Sequence, residues 1–314
     1  MTNGRVVALS GGVGGAKLAL GLARILPADE LLLVANTGDD FEHLGVTICP
    51  DIDTLTYTLA GLANLELGWG RRDETWSFME TLGTIGGETW FRLGDRDLAL
   101  HVERTRRLTR GESLSAITDD VRRRWGVGPR LLPMSDDPVR TRVQTDAGWI
   151  DFQDYFVRQQ CRPVLRALEF VGVDQARPQP DFLAALADPG LRAVVICPSN
   201  PFISVEPILA LPGVRAALAA CAAPVVAVSP IIAGRAVKGP TAKMFAELGT
   251  IPSARAVAER YGDIIDGYVL DHEDAADAGA IDARVVLART LMTSLEDRDE
   301  LARVVLRLAD EFRA

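Results

Sequence analysis

The sequence predicts an α/β fold, in which a Rossmann-like parallel sheet has helices on both faces and a large inserted cap region. Three observations indicate this class. The apolar run Val6–Leu9 breaks into clustered glycines and is followed by helical spacing over Leu18–Leu26. Further short apolar runs follow, and several end in small polar residues that open a helix. A stretch rich in Trp and Gly interrupts this pattern between the early and the late runs.

Composition limits the class of protein further. With 314 residues and 48% hydrophobic content, the chain can bury a substantial core. A net charge of -9 argues against a nucleic-acid surface, which needs clustered Lys and Arg. Four cysteines lie far apart, so neither zinc nor disulfides are indicated. Without a membrane-length apolar run or a signal-peptide pattern, we expect a cytoplasmic protein that binds neither membranes nor nucleic acid.

The glycine-rich stretch Ser10–Lys17 predicts a phosphate cradle, because clustered glycines before a helix present bare backbone N–H groups. Neither named motif fits it. A Rossmann fingerprint would have its third glycine where Lys17 stands, and a P-loop would need Gly-Lys-Ser/Thr where the chain has Ala16-Lys17-Leu18. A variant phosphate site is the functional interpretation. The structural alternative is that the glycines serve only a tight turn.

Acidic residues cluster after the second predicted strand. Asn36 stands where a dinucleotide enzyme would have an acidic residue for the ribose, which argues against a dehydrogenase. Asp39 and Asp40 follow it, and Asp51 and Asp53 stand at the start of the next predicted helix. Capping of that helix by Asp51 or Asp53 is one explanation. The other is a magnesium site, because carboxylate oxygens are the hard ligands that Mg²⁺ prefers.

We predict that an insertion divides the core. It contains a basic helical pattern over Asp95–Arg124 and a β-hairpin over Val139–Phe152. Trp76, Phe78 and Trp90 either stack on a flat ring or belong to the core. The predicted divisions are residues 1–67 for the first part of the Rossmann-like core, 68–170 for the inserted cap and 171–314 for the second part of the core.

The second half predicts further loops at the same edge of the sheet. The apolar run Ala193–Ile196 ends near Ser199, Asn200 and Ser204, which offer a second anion site. A third loop contains Lys238–Lys243. The remaining predicted elements are strands at Val225–Val228, Tyr268–Leu270 and Val285–Leu287 and a closing helix at Leu295–Phe312.

Eight motifs are spread over essentially the whole chain. They are Ser-Gly-Gly-Val-Gly-Gly-Ala-Lys (10–17), Asn-Thr-Gly-Asp-Asp (36–40), Cys-Pro-Asp-Ile-Asp-Thr (49–54), Leu-Gly-Asp-Arg-Asp (93–97), Leu-Leu-Pro-Met-Ser-Asp-Asp-Pro (131–138), Phe-Gln-Asp (152–154), Pro-Ser-Asn-Pro (198–201) and Ser-Pro-Ile-Ile (229–232). In this order they resemble the 2-phospho-L-lactate transferase family, which makes the deazaflavin coenzyme F-420. On composition alone, the segments 93–97 and 132–138 are ordinary turns, but the resemblance places them around a nucleotide.

The resemblance implies a magnesium-dependent transfer of a phosphoenolpyruvyl or phospholactyl group. The donor would be linked to guanosine diphosphate, and the acceptor would be the ribityl hydroxyl of the deazaflavin Fo. GMP would be the released product, and the enzyme would be a homodimer. It implies metal ligation by Asp51 with Asp53, and we expect Asp39 or Asp51 to orient the acceptor, which makes these two the candidate catalytic residues. The predicted substrate and nucleotide contacts are Ser10, Gly11, Gly12, Gly14, Gly15, Lys17, Asn36, Asp40, Asp95, Arg96, Met134, Ser135, Asp136, Ser199, Asn200 and Ser204.

Two alternatives stay open at the level of sequence. A related family with a similar glycine stretch resembles a regulatory protein that binds a nucleotide sugar without turnover. The identity of the transferred acid is also open, because no residue type distinguishes phospholactate, phosphoenolpyruvate and phosphoglycerate.

Overall fold

The computed structural model describes residues 4–313. The strands are β1 Val6–Ser10, β2 Leu31–Ala35, β3 Phe41–His43, β4 Val46–Ile48, β5 Arg130–Pro133, β6 Arg140–Thr145, β7 Gly148–Asp151, β8 Ala167–Val171, β9 Ala193–Ile196, β10 Val225–Val228, β11 Ile231–Ile232, β12 Arg235–Ala236, β13 Gly267–Leu270 and β14 Arg284–Leu287. The α-helices are α1 Gly12–Ile25, α2 Pro50–Leu59, α3 Ser77–Thr84, α4 Asp95–Thr109, α5 Leu114–Arg124, α6 Pro180–Leu186, α7 Glu206–Leu209, α8 Val214–Ala219, α9 Thr241–Glu247, α10 Ala254–Tyr261 and α11 Leu295–Glu311. Two π-helical turns occupy Asp154–Arg158 and Pro201–Val205.

The main sheet has seven parallel strands in the order β14-β13-β10-β9-β1-β2-β5. Alternate residues of each strand face opposite sides, so β1 contributes Val7 and Leu9 to one core and Val6 and Ala8 to the other. Helices α1, α2 and α11 pack on one face, and α6, α8 and α10 pack on the opposite face. The predicted α/β class with helices on both faces is therefore confirmed, and burial on both faces explains the continuous apolar runs.

The strands that the later apolar runs predict are confirmed as β9, β10, β13 and β14. The basic pattern over Asp95–Arg124 is divided into two helices, α4 and α5. The break has a local cause, because Gly111 has φ of +85° and the Ser113 side chain accepts a hydrogen bond from the Ala116 N–H to begin α5.

Residues 68–170 contain both added structure and one strand of the main sheet. The predicted hairpin is confirmed as β6 and β7, and β8 joins them in a three-stranded antiparallel sheet. Helices α3, α4 and α5 precede this sheet. The sequence analysis missed β5, a strand of four residues that ends in Pro133 and pairs in parallel with β2. We keep 68–170 as a proposed insertion from which one strand returns to the core.

The topology brings several loops together. In the sheet order, β1 lies between β2 and β9, so the chain leaves β1 towards one side first and later continues on the other side. In parallel α/β sheets, ligands bind outside the carboxyl ends of the strands at such a point. Within residues 4–313, no helix is both long and apolar enough to span a bilayer.

Candidate active site

The glycine-rich stretch is the first turn of α1 rather than a separate loop. Helix α1 begins at Gly12, after an extended Gly11, which has no side chain to cap the helix. Gly12 has φ of +64°, which favours glycine there. The first N–H groups of a helix have no partner within it, so the N–H groups that follow Gly12 can hold an anion.

Two of the glycines allow close approach between α1 and the segment after β9. A Cβ atom on Gly14 would lie 2.4 Å from the carbonyl oxygen of Pro198. One on Gly15 would lie 2.4 Å from Ser199 Oγ and 2.5 Å from Ser10 Oγ. Real Cβ atoms essentially never show such distances, so only glycine allows the helix to lie this close to the strand end. The glycines therefore serve packing as well as ligand access.

Asp51, which lies on α2, accepts a hydrogen bond at the start of α1. Its Oδ1 accepts a hydrogen bond of 2.7 Å from the Gly12 N–H, and its Oδ2 accepts one of 2.9 Å from Asn36 Nδ2. The same Asn36 amide donates to the Ile203 carbonyl, and its Oδ1 accepts from the Gly38 N–H. The suggestion that Asp51 or Asp53 caps α2 is wrong, because the N-cap residue is Cys49 and no side-chain cap hydrogen bond forms. Both carboxylates do lie in the first turn of α2, where they complement its dipole. Asn36 orients Asp51.

Asp39 and Asp51 form a buried acidic pair. Among the described residues, Asp39 Oδ1 has no hydrogen-bond partner although the side chain is buried. Burial and the nearby charge of Asp51 raise the pKa of Asp39 well above its ordinary value. Burial also raises the pKa of Asp51 to about 6. Two hard oxygen donors that repel one another in a desolvated place fit a magnesium ion.

Asp53 is engaged elsewhere. The Arg104 guanidinium holds both of its carboxylate oxygens in a buried ion pair, in which Nη1 lies 3.1 Å from Oδ2. His101 Nδ1 lies 3.7 Å from Asp53, and His101 Nε2 lies 3.2 Å from Asp97 Oδ1, which also accepts a hydrogen bond from the Tyr57 hydroxyl. The donor atoms of Asp53, Asp97 and His101 lie within 4.8 Å of one another, as the ligands of a metal would. Arg104 holds Asp53 and Tyr57 donates to Asp97, whereas His101 Nε2 has no hydrogen-bond partner among the described residues. Asp39 with Asp51 fits magnesium better than Asp51 with Asp53.

A cavity of about 690 Å³ lies in front of these groups, which is a common size for a small-molecule site. Many of the residues that sequence analysis selected line it together. They are Gly11, Gly12, Gly14, Lys17, Asp39, Asp51, Asp53, Ser199, Asn200 and Ser204.

Four other selected residues, Ser10, Gly15, Asn36 and Asp40, are not among the lining residues. Ser10 and Gly15 lie beside Ser199, and Asn36 holds Asp51 in place. Burial raises the pKa of the Asp40 carboxyl to about 7. Ser10, Gly15 and Asn36 therefore support residues that line the cavity.

The structure does not bring five further selected residues to the cavity lining: Asp95, Arg96, Met134, Ser135 and Asp136. The Asp95 carboxylate accepts from N–H groups at the start of α3, and the Arg96 N–H donates to Glu74. Met134 is fully buried in the core, Ser135 donates to the Arg177 carbonyl, and Asp136 accepts from the Ser115 N–H in α5. Each has a structural task of its own.

Sequence analysis missed part of the lining. Gln153 Nε2 donates to the Asp39 carbonyl over 3.1 Å, beside the stacked rings of Phe152 and Phe156, whose centroids are 5.4 Å apart. Of the three aromatic residues considered from the sequence, Trp90 lines the cavity, whereas Trp76 and Phe78 do not. The two π-helical turns both border the cavity, and such turns are frequent at functional sites. Further lining residues that were not among the predicted contacts are Tyr57, Trp69, Phe91, Arg92, Asp97, His101 and Lys238. Lys238 lies in a segment that the sequence predicted at this edge of the sheet, and Asp97 lies in one that the resemblance placed around the nucleotide.

The parallel sheet, the glycine start of α1 and the acidic, aromatic-lined cavity describe an α/β enzyme with its site at the carboxyl edge of the strands. Residues 6–303 match the family model described as "2-phospho-L-lactate transferase CofD", and the chain belongs to this family of transferases. The resemblance that the eight motifs carried is thereby confirmed.

Similar proteins cover nearly the full length. A Kitasatospora aureofaciens protein named "Phosphoenolpyruvate transferase" is 45% identical over 319 aligned residues, covering 98% of this chain and 99% of the relative. Proteins of the same name from Streptomyces avermitilis and Nocardia farcinica are 42% and 37% identical, with 98% of this chain covered in each case. A crystal structure of a UPF0052 family member from Bacillus halodurans shares the fold, with a TM-score of 0.65, 14% identity and coverage of 98% of this chain and 99% of that one.

Proposed function

We propose that this transferase moves a phosphoenolpyruvyl or phospholactyl group from a guanosine-diphosphate-linked donor to the ribityl hydroxyl of the deazaflavin Fo, releasing GMP, in coenzyme F-420 biosynthesis. The names of the relatives favour the phosphoenolpyruvyl group. The observation that carries the proposal is the buried Asp39 and Asp51 pair against the Gly12 N–H in the cavity. This arrangement combines an anion-binding helix start with cation ligands, as diphosphate chemistry requires.

In the proposed reaction, the acceptor hydroxyl oxygen bonds to the phosphorus that carries the three-carbon acid. The bond from that phosphorus to the bridging oxygen breaks, and its electron pair leaves with GMP. The N–H groups at the start of α1 hold the phosphate under attack. Asp39 orients the hydroxyl and accepts its proton through Oδ1, which has no hydrogen-bond partner among the described residues.

The proposed metal ligands are Asp39 and Asp51. Magnesium bound there supplies positive charge for the diphosphate oxygens. Asp51 is held in place by Asn36 and the Gly12 N–H, so its orientation does not depend on the substrate. The sequence-based choice of Asp53 is replaced in this proposal, because Arg104 already holds that carboxylate.

We propose that the deazaflavin ring lies against the aromatic part of the lining. Phe152 and Phe156 stack at an interplanar angle of 9°, and Trp90 contributes a further ring to the cavity. Flat heterocycles pack well on such faces. Gln153 connects this region to Asp39, which brings the ring site and the acidic pair together.

We further propose that the enzyme acts as a homodimer in the cytoplasm. Light scattering coupled to size exclusion would give the mass of two chains. The mass of one chain would contradict the dimer.

The deciding experiment supplies the purified protein with Fo, a guanosine-linked enolpyruvyl or phospholactyl donor and magnesium. We expect GMP and the phospho-acid derivative of Fo to form together, and mass spectrometry would identify the acid. Asp39→Asn and Asp51→Asn should each lower kcat by about a hundredfold or more, because charge positioning supplies most of such catalysis.

Asp95→Asn serves as the matched control, because its carboxylate lies at the start of α3 outside the cavity lining. Its turnover should stay within about twofold of wild type. Tight nucleotide binding without any turnover would instead support a regulatory protein. Wild-type rates from both cavity variants would contradict the assigned roles.

A further inference from the structure

Lysine is rare in this chain, with only Lys17, Lys238 and Lys243 among 314 residues. Two of the three line the cavity, and Lys243 does not. Lys17 comes from α1, directly after the glycines. Lys238 comes from a segment in which all five residues of 237–241 line the cavity. Lys17 and Lys238 therefore line the same cavity from opposite halves of the sequence.

Both ammonium groups are bound to backbone carbonyls rather than to carboxylates. Lys17 Nζ donates to the Met292 carbonyl over 2.8 Å, and Lys238 Nζ donates to the Gly68 carbonyl. Across residues 4–313, ion-pair geometry within 4.0 Å is found for Lys243, with Glu247, and for neither of the other two lysines. Their positive charge is thus available to a ligand.

The electrostatics agree with this geometry. Burial lowers the pKa of Lys17, and the positive charges of Arg298 and Lys238 lower it further, while the negative charge of Asp297 acts in the opposite direction. Burial also lowers the pKa of Lys238. Lys17 and Lys238 are therefore close enough to repel, and an anion between them would remove that cost.

We propose that Lys238 is an anion-binding residue that acts with Lys17 as a clamp on negatively charged oxygen atoms of the substrate. Lys238 donates to the Gly68 carbonyl, 170 residues away in the sequence, and both residues line the cavity. This hydrogen bond also links the segment after β12 to residues 68–70. The assignment of the anion to the diphosphate of a guanosine-linked donor rests on the proposed function. The carboxylate of the three-carbon acid is the other source of the same chemistry.

The test measures binding by titration calorimetry in magnesium buffer, with GDP, GMP, inorganic pyrophosphate and phosphoenolpyruvate as separate probes. Lys238→Gln removes the charge but can still donate to a carbonyl, and Lys238→Arg keeps the charge. We expect Lys17→Met and Lys238→Gln to weaken GDP and pyrophosphate binding by about tenfold or more, and Lys238→Arg to restore most of it. The affinity for GMP should fall less than the affinity for GDP. Greater loss for phosphoenolpyruvate would assign the clamp to the carboxylate end.

Arg235→Met is the control. It removes one positive charge from β12, close in sequence to Lys238, at an exposed position outside the cavity lining. Its GDP affinity should equal that of wild type, and thermal unfolding would verify that every variant folds. Equal affinities of Lys238→Gln and wild type for every anion would overturn the clamp and leave the proposed function standing. Loss of pyrophosphate binding in the lysine variants, with no GDP binding by wild type, would support the clamp and overturn the guanosine-linked donor. Wild type that binds none of the probes would overturn both.

Discussion

Arg104 shows how one side chain decides the role of another. It is 2% exposed, lies on α4 and pairs with Asp53 from α2. Arginine cannot lose its proton in a protein, so its buried charge always needs this partner. Asp53 is two residues from Asp51, yet the two carboxylates have different surroundings. Spacing along the helix could predict two acidic groups but could not predict which of them Arg104 would neutralise.

We expect Arg104→Met to lower the free energy of unfolding by about 3–5 kcal/mol, because it leaves the Asp53 charge buried without its partner. Urea unfolding followed by circular dichroism would measure the change. The double variant Asp53→Asn with Arg104→Met removes both charges and should recover part of the loss. A double variant as unstable as the sum of the two single variants would show that the pair is not coupled.

Strands β9 and β10 have the predicted bounds, and among the helices α11 was predicted most closely. The sequence predicts Leu295–Phe312 and the structure has Leu295–Glu311. Ser294 and Asp297 form a capping box, in which each side chain accepts from the backbone N–H of the other. Hydrogen bonds from Thr293 and the backbone N–H groups of Thr293 and Ser294 hold the pKa of Asp297 well below its ordinary value. A strong amphipathic period that follows a polar capping residue is the sequence pattern that predicts a helix most reliably.

Asp297→Ala should lower the Tm by a few degrees at pH 7. The pKa of Asp297 is lower in the folded than in the unfolded chain, so its stabilising effect is present above the ordinary value of 3.8. The effect is lost as the pH falls below that value. Thermal unfolding at several pH values would show the wild-type advantage shrinking in acid. An advantage of constant size from pH 7 to below 3 would contradict a role for the charged cap.

Other elements could not be located from the sequence. The start of α1 at Gly12 depends on close approach to Pro198 and Ser199, which are distant in the sequence. In the segment 93–97, Asp95 points to α3 and Asp97 lines the cavity, although both follow the same glycine. Local pattern predicts that such residues are polar and near a turn. Tertiary contacts decide which of them meets the ligand.

At the scale of the whole molecule, the cavity is lined by a core that the sequence predicted well and by the proposed cap 68–170, of which the β6–β7 hairpin was predicted. The core side of the cavity comes from strand ends, and parallel pairing forces these to one edge. The cap side depends on how the β6, β7 and β8 sheet is attached to the core. Lys243 contributes to that attachment, since its Nζ donates to the Pro163 carbonyl over 2.9 Å and to the Tyr155 hydroxyl over 3.2 Å. Val143, Phe152 and Leu165 contribute as well, because they belong to the main hydrophobic core. Glu247, which pairs with Lys243, accepts from the Leu165 N–H.

We therefore expect Lys243→Met to loosen the cap without unfolding the core. Hydrogen exchange should become faster across residues 140–171, while the buried strands β9 and β10 keep their protection. If the cap holds the acceptor ring, the KM for Fo should rise by several-fold, because Phe152 and Phe156 would be less well positioned. GDP affinity should stay near that of wild type. Faster exchange in β9 and β10 to the same degree would show instead that Lys243 stabilises the whole fold.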